Sequence, residues 1–462
     1  MANTFITKTT GTSTNVDKCT FSAWVKRGNL SSSDHILMGQ YTDANNRGKI
    51  LISDNQLAYF QKTGGSTTAN AKATRQLRDT NAWYHIVLAF DSTQSTAADR
   101  IKFYVNGVQE TVFSNTDYGA QNENVRINES SVPIFIGQDG NSAHYFDGQM
   151  AHVHFVDGTA YPASTFGETD TTSGIWKPKT NPTVTYGNNG FFLKFENNGN
   201  LDLDSSGNNL TFSTSGALTQ NTDTPSNNFS TLNPLLCGTG TGNDAAVHTA
   251  GSTRVDVGNN VWRTVTSSVA LHSGKWYFEG FGTSQASAYQ HYGITSINKF
   301  EQDQTMPDKE INEEQNGYAY GYYGNNGQIY YSTPSARSNG AYGSSYGASD
   351  YVGIFVDLDN NKLYVSKNGT LANSGTGYDI NAAGKPYLLA MSVYGANAQI
   401  NFGSGTFGYS GTSYAKLTGT TYADANGHGV FKYSPNQGGA ANFDSAAKNF
   451  YALNTKNIKE FG

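Results

Sequence analysis

Short runs in which apolar and small or polar residues alternate, each closed by Asn, Gly or Asp, recur along most of the chain. Alternation of period two puts every second side chain on one face of an extended strand, so this pattern constrains the fold more than any other feature. Phe21-Ser22-Ala23-Trp24-Val25 reads as a half-buried strand, and Trp83 to Phe90 as a long one ending at Asp91. Ile101 to Val105 runs into Asn106-Gly107, a hairpin signal because both residues tolerate positive φ. Ile134 to Gly137 and Gly148 to Val156 continue the series, and helical character is hinted at in the short segment Pro162 to Phe166.

Composition agrees with an all-β chain. Gly accounts for 51 of 462 residues and aromatics for 13%, while charged residues make up 14%, against about 25% in an average protein. Asn, Thr and Ser take the places of Lys and Glu, which removes helix formers and supplies turn residues. The aromatic content provides enough apolar mass to pack, which argues against disorder. The formal net charge of −6, with no basic block, excludes nucleic-acid binding through phosphate neutralisation. Met1 to Lys8 has no apolar core of a secretory leader, and no apolar run reaches the length of a membrane span. The expectation is a protein made in a cytoplasm, not inserted in a membrane, and reaching the exterior by lysis or particle assembly. Cys19 and Cys237 stand far apart, in no metal-ligand spacing, and are read as free thiols.

The strand signals fall into two blocks. Phe191 to Glu196 and Leu210-Thr211-Phe212, on either side of the turn-rich Asp202 to Asn209, are read as strands closing the first block. A Gly/Thr stretch at Gly238 to Gly242 then reads as a linker. Gly274 to Gly280, Tyr318 to Tyr322, Val352 to Asp357, Leu363 to Val365, Pro386 to Val393 and Ala398 to Phe402 form the second block. The expected organisation is a β-sandwich over 1–235, a linker over 236–250, a second β-sandwich over 251–405, and a tail over 406–462 packed on the second. The fold class is all-β: two tandem antiparallel β-sandwiches of jelly-roll type.

Phe21 to Lys26, Trp83 to Val87, Phe103-Tyr104-Val105-Asn106-Gly107 and Phe146 to Phe155 together resemble the laminin-G-like, concanavalin-A-like lectin/glucanase fold over about residues 5–170. The Asp-Ser-Ser-Gly-Asn element at Asp204 to Asn208, which opens such domains, here follows the body. In the second block, Gly274 to Glu279, Asp350 to Asp357, Lys367-Asn368-Gly369 and Ile400-Asn401-Phe402-Gly403 resemble a SPRY domain. That resemblance implies a bent β-sandwich that binds partners through loops at one end. Phe431 to Pro435, Tyr451 to Asn457 and Asn228 to Leu235 resemble segments of structural proteins of tailed phages.

The candidate sites are weighed against ordinary structural roles. Glucanases of this fold carry two Glu and one Asp at alternate positions of one strand. Glu310-Ile311-Asn312-Glu313-Glu314 has Asn in the Asp position and reads as a solvated polar loop, so no enzyme is expected. Gly-x-Ser-x-Gly does not occur, which leaves acyl transfer without support. His144, His152 and His154 are close in sequence, and alternation places the last two on one face, read as a polar sheet face or assembly surface. Asp202, Asp204 and Asn208 offer hard oxygen ligands, so the one cofactor considered is calcium, set against a plain Asx turn. Arg337, Asn339, Tyr342 and Tyr346 lie among Gly and Ser in the 333–350 loop and are the candidate ligand-binding residues, because aromatic faces among small polar residues suit recognition surfaces. Trp24, Trp83 and Trp276 are read as core.

The reading that joins these observations is a non-enzymatic virion structural protein of a tailed phage, such as a tail fibre, appendage or capsid-surface module. Its expected partners are other virion proteins, a host-surface glycan and further copies of itself. The alternatives are a purely architectural capsid decoration and a polysaccharide-degrading enzyme.

Overall fold

The structure is a computed structural model, describing residues 4–30, 33–236, 246–249, 251–258, 261–282, 289–299, 308–313, 315–382, 384–405, 417, 419–436 and 449–462. Cys237, Glu314 and most of the expected linker lie outside these residues. The chain divides into two compact units, Met1–Gln220 and Asn221–Gly462. Each is an antiparallel β-sandwich with one eight-stranded and one six-stranded sheet, as the alternation demanded.

In the first unit the six-stranded sheet has Lys18–Arg27 at its centre, between Gly148–Asp157 and Trp83–Asp91. Phe21, Ala23, Val25, Ile86, Leu88, Phe90, Val153 and Phe155 point inward to meet Ile50, Ile52, Leu57, Tyr59 and Ile134 from the eight-stranded sheet. Asn106-Gly107 makes the expected tight turn, with φ of 50° and 82°. Gly107 is needed twice, because a Cβ there would also come within 2.8 Å of the Trp176 indole. The predicted helical hint is a single 3₁₀ turn at Ala163–Thr165.

In the second unit Lys275–Gly282 lies between Asn397–Asn401 and Tyr351–Asp357 in the eight-stranded sheet. Trp276, Phe278, Val352, Ile354, Val356, Leu363 and Val365 fill the space between sheets, facing Tyr292, Ile294, Leu389 and Met391. The opposite face of the same strands also carries large aromatic residues. Tyr277, Phe355 and Tyr364 pack there against Phe229, Phe431 and Phe450. Each fully covered phenylalanine contributes about 2–3 kcal/mol of transfer free energy.

This outer layer relocates the domain boundary. Residues 221–235, expected to close the first sandwich, belong to the second. Phe229 joins the outer aromatic layer, Leu232 enters the inter-sheet core, and Ser230 N donates to Leu453 O. The segment brings Phe229 and Leu232, two side chains that need cover, to a sandwich whose outer aromatic face needs covering. The C-terminal segment does the same, with Tyr451 bridged to Trp276.

Glu279, on the outer face beside Tyr277, ties this cover down. Its carboxylate accepts from Lys432 N at 2.9 Å, Tyr433 N at 2.7 Å, Asn401 Nδ2 at 3.2 Å and Tyr277 Oη at 3.3 Å. Burial pushes its carboxyl up to about 7 against these four donors. Because the folded value lies above that of the unfolded chain, the native protein retains a proton the unfolded chain releases. The stability from this group is complete below about pH 4.5 and is lost as pH rises through about 7. Denaturant unfolding of wild type and Glu279→Gln at both ends of this window tests the assignment. The wild type is expected to lose on the order of 3 kcal/mol relative to the variant between pH 4.5 and 7.5. A difference independent of pH would show that Glu279 does not hold the proton.

Candidate functional site

The six-stranded sheet of the second unit runs in the order Trp262–Leu271, Tyr387–Tyr394, Gln290–Ser296, Ala319–Tyr323, Gln328–Thr333, Ala336–Ala341. Residues directly opposite each other on neighbouring strands share a face. The register sets Trp262 opposite Tyr394, Ser392 opposite His291, His291 opposite Tyr323, and Tyr330 opposite Asn339. This outer face is therefore aromatic. His291 stacks on Tyr323 at 4.4 Å between ring centroids and meets Trp262 and Tyr330 each at 5.4 Å. Tyr289 and Tyr394 extend the floor. Trp262, Tyr289, Tyr330 and Tyr394 remain half-buried, so their faces are accessible.

A strap formed by residues 308–313 crosses this face. Ile311 sits against Ala319 and Ala390, and Thr264 Oγ1 donates to Lys309 O at 2.6 Å. The strap brings Glu310 to His291, with Oε1 2.6 Å from Nε2, and Arg337 Nη2 lies 3.8 Å from Oε2. Burial pushes the Glu310 carboxyl up, but the imidazole of His291 and the charge of Arg337 outweigh it and hold it below the usual range. The result is a shallow basin with an aromatic floor, a carboxylate, and the polar side chains of Arg337 and Asn339 at its rim.

The expected solvated loop at 310–313 is thus replaced by a packed strap, with Ile311 and Asn312 buried. The sequence conceals this because the space that Ile311 fills, over Gly321 between Ala319 and Ala390, is built by two other strands. Of the four candidate ligand-binding residues, Arg337 and Asn339 stand on a strand at the basin rim, where a loop was expected. Tyr342 and Tyr346 do not join them. Both lie in the inter-sheet core. Tyr342 Oη donates to Thr376 O at 2.8 Å, and Tyr346 Oη donates to Gln290 O at 2.8 Å. Burial raises both phenols well above the ordinary range.

The calcium candidates form a turn. Asp204 is buried, its Oδ1 accepting from Phe192 N and Ser206 N and its Oδ2 from Ser206 Oγ and Leu210 N, all within 3.0 Å. Asn208 Nδ2 donates to Gly187 O and Gly190 O, and Asp202 accepts from Thr214 Oγ1. A cation would have to displace four backbone and hydroxyl donors from Asp204. Among the described residues no group of three or more His, Cys, Asp or Glu is arranged to hold a metal ion.

Of the three histidines, His152 and His154 share a face and His144 stands apart. The register slips between Ala151 and His154, and His152 has φ of 48°, so a bulge interrupts the ladder there, yet His152 packs on the same Phe192 ring as His154, at 5.7 Å between centroids. His154 stacks on Phe192 at 3.8 Å and contacts Tyr186 Oη at 2.8 Å through Nδ1, while His144 pairs with Asp139 at 3.0 Å. Trp24 and His85 stack at 4.9 Å beneath the layer carrying Trp176, and Trp24, Trp83 and Trp276 are all buried. His85 lies 2.9 Å from Ser22 Oγ, a spacing that invites comparison with a nucleophile and base. The Trp176 indole N–H donates to His85 Nδ1 at 3.0 Å. An indole only donates, so Nδ1 carries the lone pair and Nε2–H points at Ser22. Burial, then the charge of His152, holds His85 down to about 3. It stays neutral and in the wrong tautomer to take a proton from Ser22.

The basin was missed because its residues do not form a sequence cluster. Its one local signal is the doublets Tyr322-Tyr323 and Tyr330-Tyr331. In a strand, neighbouring side chains point to opposite faces, so a tyrosine doublet makes both faces aromatic.

Both units are antiparallel β-sandwiches, each with its own closed core. Residues 3–164 match the concanavalin A-like lectin/glucanases superfamily, and residues 247–405 match the SPRY domain. The chain therefore carries a concanavalin A-like domain followed by a SPRY domain. Among solved structures it is similar to the SPRY domain of human HERC1, at 12% identity over 32% of this chain and 87% of that one, with a TM-score of 0.26. It is similar to the TRIM65 PSpry domain at 11% identity over 37% and 91%, with a TM-score of 0.27. It is also similar to the carbohydrate binding module CBM66 from Bacillus subtilis at 9% identity over 32% and 81%, with a TM-score of 0.23.

Gly321 is the lock of the strap, because a Cβ there would come within 2.7 Å of Ile311 Cγ2 and 3.0 Å of His291 Nδ1. Gly321→Ala is expected to lift Ile311 and destabilise the second unit by about 1–3 kcal/mol. Denaturant unfolding, with Trp262 fluorescence as a local probe, measures both effects. Unchanged stability and emission would mean that the strap is not held at this point.

Proposed function

We propose that this protein is a non-enzymatic, glycan-recognising structural component of a tailed-phage particle, and that the sugar is held in the aromatic basin of the SPRY domain. The observation that carries the glycan reading is the half-buried floor of Trp262, Tyr289, Tyr330 and Tyr394 next to Glu310 and Arg337. A pyranose ring has an apolar C–H face that packs on an aromatic ring and a rim of hydroxyls that needs donors and acceptors nearby. Apolar walls with a few placed polar groups meet both demands. Rigid rings also lose little conformational entropy on binding. Single sites of this shallow shape bind weakly, and display in many copies on a particle raises the effective affinity.

The particle assignment is supported by the resemblance of the 228–235, 431–435 and 451–457 segments to those of tailed-phage structural proteins. A second reading, in which the protein only decorates or bridges a shell, differs in requiring no glycan.

Screening the full chain on a glycan array, followed by titration of the best sugar, tests the site. Trp262→Ala and Tyr330→Ala are each expected to weaken binding by about tenfold or more while leaving the fold intact by circular dichroism. Antibody labelling of purified particles tests the location. Array binding insensitive to both substitutions would move the site elsewhere. Labelled particles without any glycan binding would favour decoration, and release of reducing sugar from a polysaccharide would restore the enzyme reading.

A further inference from the structure

Sheet edges carry unpaired N–H and C=O groups, and most edges are short, bulged, charged or covered to prevent pairing with another chain. The described edges of this protein follow that rule with one exception. The Trp262–Leu271 edge is covered by residues 231–233: Leu232 bridges Ser267, Asn233 N donates to Thr266 O and Ser268 N to Thr231 O. In the eight-stranded sheet of the second unit the end strands are Ala246–Thr249 and the two-residue Thr370–Leu371. In the first unit, Ser213–Ser215, Phe191–Leu193 and Val108–Gln109 are short, and Phe113–Asp117 is irregular between Phe113 and Asn115 and ends in an acid.

The exception is Ala336–Ala341. Its register with Gln328–Thr333 runs from Thr333 opposite Ala336 to Gln328 opposite Ala341 without a slip. It holds no proline and one charge, Arg337. Residues 336–339 and 341 are exposed, so nothing described lies over them. Pro334-Ser335 forms a two-residue loop, which makes Thr333 and Ala336 a hydrogen-bonded pair. Alternation along the ladder then turns the main-chain groups of Arg337, Asn339 and Ala341 away from the partner strand, toward the open edge.

We infer that this edge pairs with the same edge of a second copy of the chain, antiparallel about a two-fold axis at Asn339. Three observations select a second copy. The edge is self-complementary, since the axis sets Asn339 opposite Asn339 and Arg337 opposite Ala341, with all three open residues forming hydrogen-bonded pairs. The single charge never faces its own copy, because the two Arg337 positions are offset by four residues, roughly 13 Å along the strands. The side chains between the paired main chains are small or short apart from Arg337, which leans toward Glu310 on its own sheet. Such an interface is isologous and closes at a dimer. The six-stranded sheets would join into one, with both aromatic faces on the continuous surface. That each dimer then presents two glycan sites rests on the reading above, whereas the pairing itself does not.

The test is sedimentation equilibrium of the full chain, joined to hydrogen exchange. Wild type is expected to be a dimer that dissociates on dilution. The amides of Arg337, Asn339 and Ala341 should be protected at high concentration and exchange freely when dilute, a readout that needs no variant. Asn339→Pro removes an open-edge donor without removing a bond to Gln328–Thr333 and is expected to give a folded monomer. Asn339→Ser keeps the main chain and should stay dimeric. A wild-type monomer at the highest attainable concentration, exchange at these three amides that ignores concentration, or a dimer surviving Asn339→Pro would each overturn the inference. Loss of glycan binding in a protein that still dimerises would bear on the basin alone.

Discussion

Aromatic burial on both faces of the same strands is the constraint on which the second unit depends. Trp276 and Phe278 point into the sandwich while Tyr277 points out, and Phe355 and Tyr364 repeat the outward direction on the next two strands. A sandwich core satisfies one face only. The other would expose a large apolar patch unless something covers it. Phe229 from one end of the unit and Phe431 and Phe450 from the other supply that cover, and the hydrogen bonds to Glu279 hold the 432–433 backbone in place. The unit is thus longer at both ends than its repeating strand pattern.

The first unit solves a related problem differently. The outer face of its six-stranded sheet carries Val87, Val156, Trp24 and His85, and the 158–190 segment lays Ala163, Phe166 and Trp176 over it. The Trp176–His85–Ser22 chain pairs three of the polar groups on this face. Among the described residues, the strap of the second unit, 308–313, crosses its sheet and leaves Trp262 and Tyr330 half-buried. The proposed binding site lies where the cover of the described residues is incomplete, beside the Ala336–Ala341 edge.

Period-two alternation with Asn-Gly and Asp punctuation was enough to read the strands, the all-β class and the division into two sandwiches. It was enough because each of those features is local: side-chain direction in a strand and positive φ at Asn106 and Gly107 depend on near neighbours. The Trp assignments were also legible, since a large ring on a strand pattern has few other places to go. Of the candidate ligand-binding residues, Arg337 and Asn339 were legible as exposed polar positions but not as members of the strand Ala336–Ala341.

What only the tertiary structure decided depends on partners distant in sequence. The alternation says that Tyr342 and Tyr346 are aromatic positions among small residues. It cannot say that Thr376 and Gln290 wait with carbonyl acceptors inside the core. It gives His152 and His154 the same parity, but neither the bulge between them nor the Phe192 ring on which both pack. It shows Asp204 as a possible ligand, while four donors from 192, 206 and 210 make it the hub of a turn. The sequence by itself determined which residues alternate and where the chain reverses, because these are properties of adjacent residues. The tertiary structure decided which of the two faces of each strand is covered, and by what, because cover comes from segments whose own sequence carries no sign of where they will lie.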